Sequence, residues 1–204
     1  MTYEGFDVLT ETTHNMRAAI AEAFGRVGAL LTNATGVRLY DDRSLVAVPV
    51  RSFLWSAFTR AECLALRAFL EARLGRLVPF WTPTFQNDLI MVADLGPAIT
   101  ELVIKDTGYV AWQWPKVCRR RLALVKRDGS FYCRKVVDVE DNGDGTHSLF
   151  LDAAIGETLI AAHTQLSFLV LCRLERDMNE IVWSRNGLAE AELAFQELPL
   201  EVPA

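Results

Sequence analysis

Histidine is scarce in this 204-residue chain, with only His14, His147 and His163. None belongs to a metal or triad motif, so each reads as a surface or turn residue. Cysteine is scarce as well: Cys63, Cys118, Cys133 and Cys172 include no CxxC pair. Zinc sites usually take two ligands from one tight turn, and small secreted domains are denser in cysteine. The reading is therefore free buried thiols in a reducing cytosol, with Cys118 and Cys133 spaced to face each other across a hairpin. The phosphate-cradling patterns GxGxxG and GxxxxGK[ST] are missing, and so is the GxSxG nucleophile elbow. No apolar run reaches the roughly 20 residues of a membrane span. The opening MTYEGFDVLTETT has no basic cap ahead of an apolar stretch, so residence in the cytoplasm, or wherever a host complex goes, is expected. Positive charge is in deficit, with 21 Lys and Arg against 26 Asp and Glu. A net charge of −5 argues against nucleic acid as the main partner, because phosphate neutralisation needs surplus cations. These absences predict a protein that is not an enzyme, with no catalytic, metal or cofactor residues and no membrane partner.

Apolar material is abundant: 51% of residues are hydrophobic against 23% charged, which excludes a disordered chain. Residues 16–24 have helical composition, but Gly25 and Gly28 break any longer helix. Strand-like stretches at 26–31 and 37–40, around the turn residues 33–36, predict a hairpin. Residues 45–58 read as a long strand with Val46, Val48 and Val50 on one face and Phe53, Trp55 and Ala57 continuing the alternation; Pro49 places it at an edge or a bulge. Thr59 and Glu62 form a capping box, Cys63, Leu66, Phe69, Leu70 and Leu74 share one helical face, and Gly75 supplies the stop. The aromatic and proline-rich connection that follows resists regular pairing until a strand resumes at 89–93. Further strands are expected at 99–104, 120–126, 131–139, 148–152, 166–174, 180–183 and 189–195, joined by turns at Asp128–Gly129, Asn142–Gly145 and Asn186–Gly187. The fold class is mainly β with one or two helices (α+β): a β-barrel or sandwich of antiparallel hairpins with a capped helix packed on the sheet. A boundary near residue 98 gives a strand–helix lobe, 1–98, and an all-β lobe, 99–204, although one intertwined domain fits the same pattern.

Three features could carry chemistry. The turn DVEDNGDGT offers Asp138, Asp141, Asn142 and Asp144 as hard oxygen ligands, but it lacks the closing Glu of a calcium loop, and the Asx-Gly dipeptides suffice to make it a hairpin turn. Lys116, Arg119, Arg120 and Arg121 form the sole basic run, beside Trp112 and Trp114, an arrangement that grips single-stranded nucleic acid or a glycan. Strand alternation would put Arg119 and Arg121 on one face and Arg120 on the other, which favours a solvated or inter-subunit salt-bridging strand. Carboxylate pairs such as Asp138 with Asp141, or Glu175 with Asp177, would suit a hydrolase, but on hairpin turns solubility accounts for them. Trp55, Phe80, Trp81, Phe85, Trp112 and Trp114 fill a core under loops or anchor an interface, since both uses favour large aromatics.

Three stretches resemble a family of bacteriophage proteins at the tip of long, non-contractile tails, the distal tail and hub-like proteins. They are VPVRSFLWSAFTRAECLALRAFLEARLGRLVPFWTPTF, VCRRRLALVKRDGSFYCRKVVDVEDNGDGTHSLFLD and LSFLVLCRLERDMNEIVWSRNGLAEAELAFQELPLEVP. The resemblance runs from about Val48 to the C-terminus. It implies a structural virion protein of the tail tip or baseplate, present in the host cytoplasm during assembly, whose copies form a ring joining the tail tube to hub or receptor-binding proteins. Its partners would be itself and other tail proteins, the tube, hub, tape measure and fibres, with no specific nucleic-acid binding. The interface residues expected on this reading are Trp55, Phe80, Trp81, Phe85, Trp112, Trp114, Arg119, Arg120 and Arg121. The competing reading is a binding module for single-stranded nucleic acid or a glycan through Trp112, Trp114 and Arg119 to Arg121.

Overall fold

The computed structural model describes residues 1–10, 19–26, 28–32, 36, 38–42, 46–185 and 188–203. In chain order the strands begin with β1 (Thr2–Tyr3), β2 (Phe6–Asp7), β3 (Ala21–Gly25), β4 (Gly28–Thr32), β5 (Arg38–Asp42), β6 (Val48–Ala57) and β7 (Phe80–Pro83). They continue with β8 (Glu101–Lys105), β9 (Arg121–Lys126), β10 (Phe131–Asp141), β11 (Thr146–Leu151), β12 (Thr164–Leu174), β13 (Val182–Arg185) and β14 (Leu188–Glu197). The α-helices are α1 (Arg60–Arg73) and the single turn α2 (Tyr109–Trp112). The protein is thus mainly β: ten strands belong to one antiparallel series, and β1–β2 and β4–β5 form two-stranded sheets. The chain groups into two compact units, each made of separate stretches. One holds residues 1–12, 80–171 and 200–204; the other holds 13–79 and 172–199. Contacts therefore divide the chain otherwise than a single cut after residue 98, because strands distant in sequence pair with one another.

In the first unit the strand order is β12, β9, β10, β11, β8. Strand β9 lies between two neighbours, and its Leu122, Ala123 and Leu124 are all buried, so no polar alternation remains. Strand β10 pairs with β9 through Phe131–Lys135 and with β11 from Val136 onward, with a register shift between Val136 and Asp138 that redirects the strand. At the Asp128–Gly129 turn the Asp128 carboxylate accepts the Ser130 N–H at 2.9 Å, and Gly129 adopts φ +89°. These hairpins match the sequence expectation.

The expected strand at 89–93 does not form. Instead β7 is a strand, and Leu89 and Met91 make isolated bridges to Leu166 and Ile104. Side chains replace the ladder there: Asn87 Oδ1 accepts the Leu166 N–H at 3.3 Å and Asp88 Oδ2 accepts the Phe168 N–H at 2.7 Å. Among the described residues the ladders do not close into a barrel, and the segment 89–92 reaches both end strands, β12 and β8, through these bridges.

In the second unit β6 lies between β3 and β14. Arg51, Phe53, Trp55 and Ala57 alternate on its buried face, opposite Phe195, Leu193, Ala191 and Ala189 of β14. Val48 and Val50 take the other, half-buried face. The strand is internal, not an edge. Pro49 is tolerated at its second position because only β3, through Phe24, faces it; the β14 register starts at Val50.

Helix α1 starts as its sequence dictates, with Thr59 accepting the Glu62 N–H and Glu62 accepting the Thr59 N–H. Its buried Cys63 packs with Ala57 and Ala189, whose small side chains let the helix approach β6 and β14. The far end differs from expectation. The helix stops at Arg73, and Leu74, in the left-handed region at φ +50°, is exposed. Arg73 takes the buried place, its guanidinium 4.9 Å from the Phe69 ring centre and donating to the Pro79 carbonyl. The hairpin expected around residues 33–36 exists as β4 paired with β5, and the helical composition of 16–24 yields strand β3 over its described part. The residues of the Asn186–Gly187 turn, and His14, lie outside the described residues. No disulfide joins the cysteines; Cys63, Cys133 and Cys172 are buried and Cys118 is half-buried.

Candidate interaction surface

Four of the nine expected interface residues are aromatics enclosed in their own units. Trp55 is fully buried in the second unit, its ring centre 6.3 Å from those of both Phe53 and Phe195. In the first unit Phe80, Trp81 and Phe85 are buried, and Trp81 Nε1 donates to the Tyr3 carbonyl at 2.9 Å. These four side chains fill cores, so a partner meets none of them without opening the fold.

Arg121 is enclosed in the same way. Its side chain is 0% exposed and donates to both oxygens of Glu4, at 2.6 and 3.1 Å, and to the carbonyls of Pro203 and Val117. Its guanidinium carbon also stands 5.5 Å from the centre of the Trp81 ring. The three arginines do not alternate on a strand. Arg119 ends a 3-10 turn and β9 begins only at Arg121, because Arg120 N–H bonds back to Val117.

The connection from β8 to β9 carries the remaining residues. Asp106 Oδ1 accepts the Gly108 N–H at 2.7 Å, and Gly108, at φ +79°, starts the single turn of α2. Tyr109 is buried against Phe168, with ring centres 5.9 Å apart, and its hydroxyl donates to the Arg119 carbonyl at 3.2 Å. Burial, only partly offset by Arg120, raises the pKa of this phenol above the ordinary tyrosine value. Arg120 lies 4.2 Å from the Trp114 ring centre and donates to the Trp114 carbonyl, so these two residues are engaged with each other. Trp112 is different: it is 73% exposed. A Cβ at Gly108 would come within 2.9 Å of Trp112 Cδ1, so the indole rests directly on the glycine backbone.

Histidine spacing in sequence concealed one cluster. His147, expected at the surface, is buried, with Nε2 3.8 Å from a carboxylate oxygen of both Asp106 and Asp141. Asp106 reaches it through the chain fold, since the Asp106 N–H donates to the Gly145 carbonyl at 2.9 Å. Asp141 reaches it as the cross-strand neighbour of His147, which the hairpin pattern alone implies. Around the same turn Asp144 accepts the Thr146 N–H and hydroxyl, which lower its carboxyl pKa. Asp141 likewise accepts the Gly143 N–H through Oδ1, and among the described residues no three His, Cys, Asp or Glu side chains are grouped to hold a metal ion.

The second unit contributes two exposed strand edges and one buried ionic group. All five residues of β3 are exposed, Phe24 to 68%, and among the described strands only β6 pairs with it. Strand β13 pairs only with β14 and exposes Val182 and Trp183. Arg51 bridges Glu22, at 2.6 Å, and the buried Glu197. It is tied to the register, since Glu22 is the cross-strand neighbour of Arg51 in β3. No protein-family model matches the chain, and comparison with curated proteins gives no match either.

Proposed function

We propose that this chain is a structural subunit of a phage tail tip or baseplate, assembling with copies of itself into a ring between the tail tube and the hub or receptor-binding proteins. The role is mechanical: head-to-tail contacts close the ring, and its two rims dock different neighbours. The observation that supports this reading most is β3, which pairs with β6 alone among the described strands and has every residue exposed, Phe24 included. A protein that stays alone blunts such an edge with charge, proline or a covering loop, whereas a ring subunit covers it with its neighbour. The exposed edge and side chains of β13 add a second strand of the same kind.

Size-exclusion chromatography with light scattering and electron microscopy of the purified protein test the proposal. Discrete rings are expected, and Phe24→Asp, which charges the β3 edge without touching the core, should shift the population to monomer. A wild-type protein that is monomeric at every concentration and does not enter tail particles would overturn it.

A further inference from the structure

One end of the first unit gathers an exposed indole and two exposed carboxylates. Trp112 is 73% exposed yet fixed in place on Gly108. The same glycine is held by Asp106, and Asp106 is joined through its N–H to Gly145 in the β10–β11 turn that carries Asp141 and Asp144. Among the described residues neither Asp106 nor Asp141 has a lysine or arginine partner; what faces both is His147, at 3.8 Å. That distance is too long for a hydrogen bond. The His147 side chain is only 6% exposed, and its Nδ1 has no hydrogen-bond partner. His147 Nε2 thus faces two exposed carboxylates without a hydrogen bond, and each of these accepts one backbone N–H through Oδ1, Asp106 from Gly108 and Asp141 from Gly143, leaving Oδ2 of both without a hydrogen bond among the described residues.

We propose that Trp112, Asp106 and Asp141 form a recognition site for an arginine side chain presented by a partner protein. A guanidinium plane stacks on an indole while its N–H fork takes a carboxylate, so it matches both halves of this site at once. Lysine supplies charge without the planar fork and fits less well. Phosphate is repelled by the carboxylates, and a neutral sugar would stack on Trp112 but leave their charge uncompensated. The site lies wholly within the first unit and stands whether or not copies of the chain close into a ring.

Peptides of alternating glycine and arginine, or glycine and lysine, with acetylated and amidated ends, serve as probes for the full-length protein at low salt. Tryptophan fluorescence and the indole N–H resonance of Trp112 report binding. The arginine peptide should bind more tightly than the lysine peptide and move the Trp112 resonance. Trp112→Ala should weaken it about two- to five-fold, the worth of one exposed cation–π contact. Asp106→Asn with Asp141→Asn should weaken it by a similar factor, while the retained side-chain oxygen still accepts the Gly108 N–H. Equal binding of the two peptides, affinity unchanged by Trp112→Ala, or no shift of the Trp112 resonance overturns the proposal. So does a stronger Trp112 response to a glucose oligosaccharide or a dT oligonucleotide. A protein that binds arginine through Trp112 but never forms rings would refute the tail-tip reading and leave this one intact.

Discussion

Replacing Arg51 with methionine removes the cation that Glu197 and Glu22 share in the second unit. Glu197 is 3% exposed in its side chain and Glu22 is 28% exposed, so the two carboxylates respond differently to the loss. Glu22 can turn to water, and Glu22→Gln should cost about 1 kcal/mol or less, the range of a partly solvated pair. Glu197 is buried, so Arg51→Met should cost about 3–5 kcal/mol, the range for breaking a buried ion pair by removing one member. For a chain of this size that corresponds to a fall in melting temperature of about 6–20 °C. Replacing both partners, Arg51→Met with Glu197→Leu, removes the desolvation cost along with the attraction and should return stability to within about 1 kcal/mol of wild type. Contacts group into two units, so urea denaturation should be read together with amide hydrogen exchange of peptides covering β6 and β14. If Arg51→Met costs under about 1 kcal/mol, or if the double variant is as unstable as the single, the pair is not a desolvated one and the reasoning fails.

Gly75→Ala should destabilise by at least about 1–2 kcal/mol, the penalty of a left-handed residue with a side chain. Gly75 has φ +66°, and a Cβ there would stand 2.7 Å from Asp177 Oδ1 and 3.2 Å from Asp177 Cα. Because the second contact is to backbone, adding Asp177→Ala should not restore stability in thermal unfolding. Thr59→Ala removes the side-chain half of the capping box of α1 and should cost about 1 kcal/mol, with faster hydrogen exchange at Glu62, whose N–H loses its acceptor. The Asp128 carboxyl, held down to about 2 first by the Ser130 N–H and then by Ser130 and Lys126 side chains, should titrate below the ordinary aspartate range by NMR. Since its folded value is depressed, whatever stability it contributes is present above the unfolded value and is lost as pH falls towards about 2. A titration near 4 would show that the Ser130 bonds do not persist in solution. Burial pushes the Cys133 thiol up to about 12, so it should resist alkylation at neutral pH until the first unit unfolds.

Local chemistry made much of the fold legible. Strand-like stretches between turn signals named β9, β10, β12 and β14 close to where they occur, and Asp128–Gly129 and Asn142–Gly145 named the turns, because these signals act within a few residues. Thr59 with Glu62 fixed the start of α1 for the same reason. The end of that helix was not legible: whether Arg73 or Leu74 is buried depends on Phe69 and the Pro79 carbonyl lying nearby in space. Residues 89–93 have the composition of a strand, yet Asn87 and Asp88 had already satisfied the β12 backbone, so bridges sufficed.

The candidate site divides along the same line. Sequence alone determined that aromatics, arginines and an acidic turn were present, together with the strand periods, turns and capping box, all set by interactions between residues close along the chain. Tertiary structure alone decided that Trp55, Phe80, Trp81 and Arg121 are interior, that Trp112 is exposed, and that Asp106 meets His147 beside Asp141. Burial and electrostatic neighbourhood are properties of the space the whole chain encloses, and no pattern of adjacent residues encodes which large side chain that space will take.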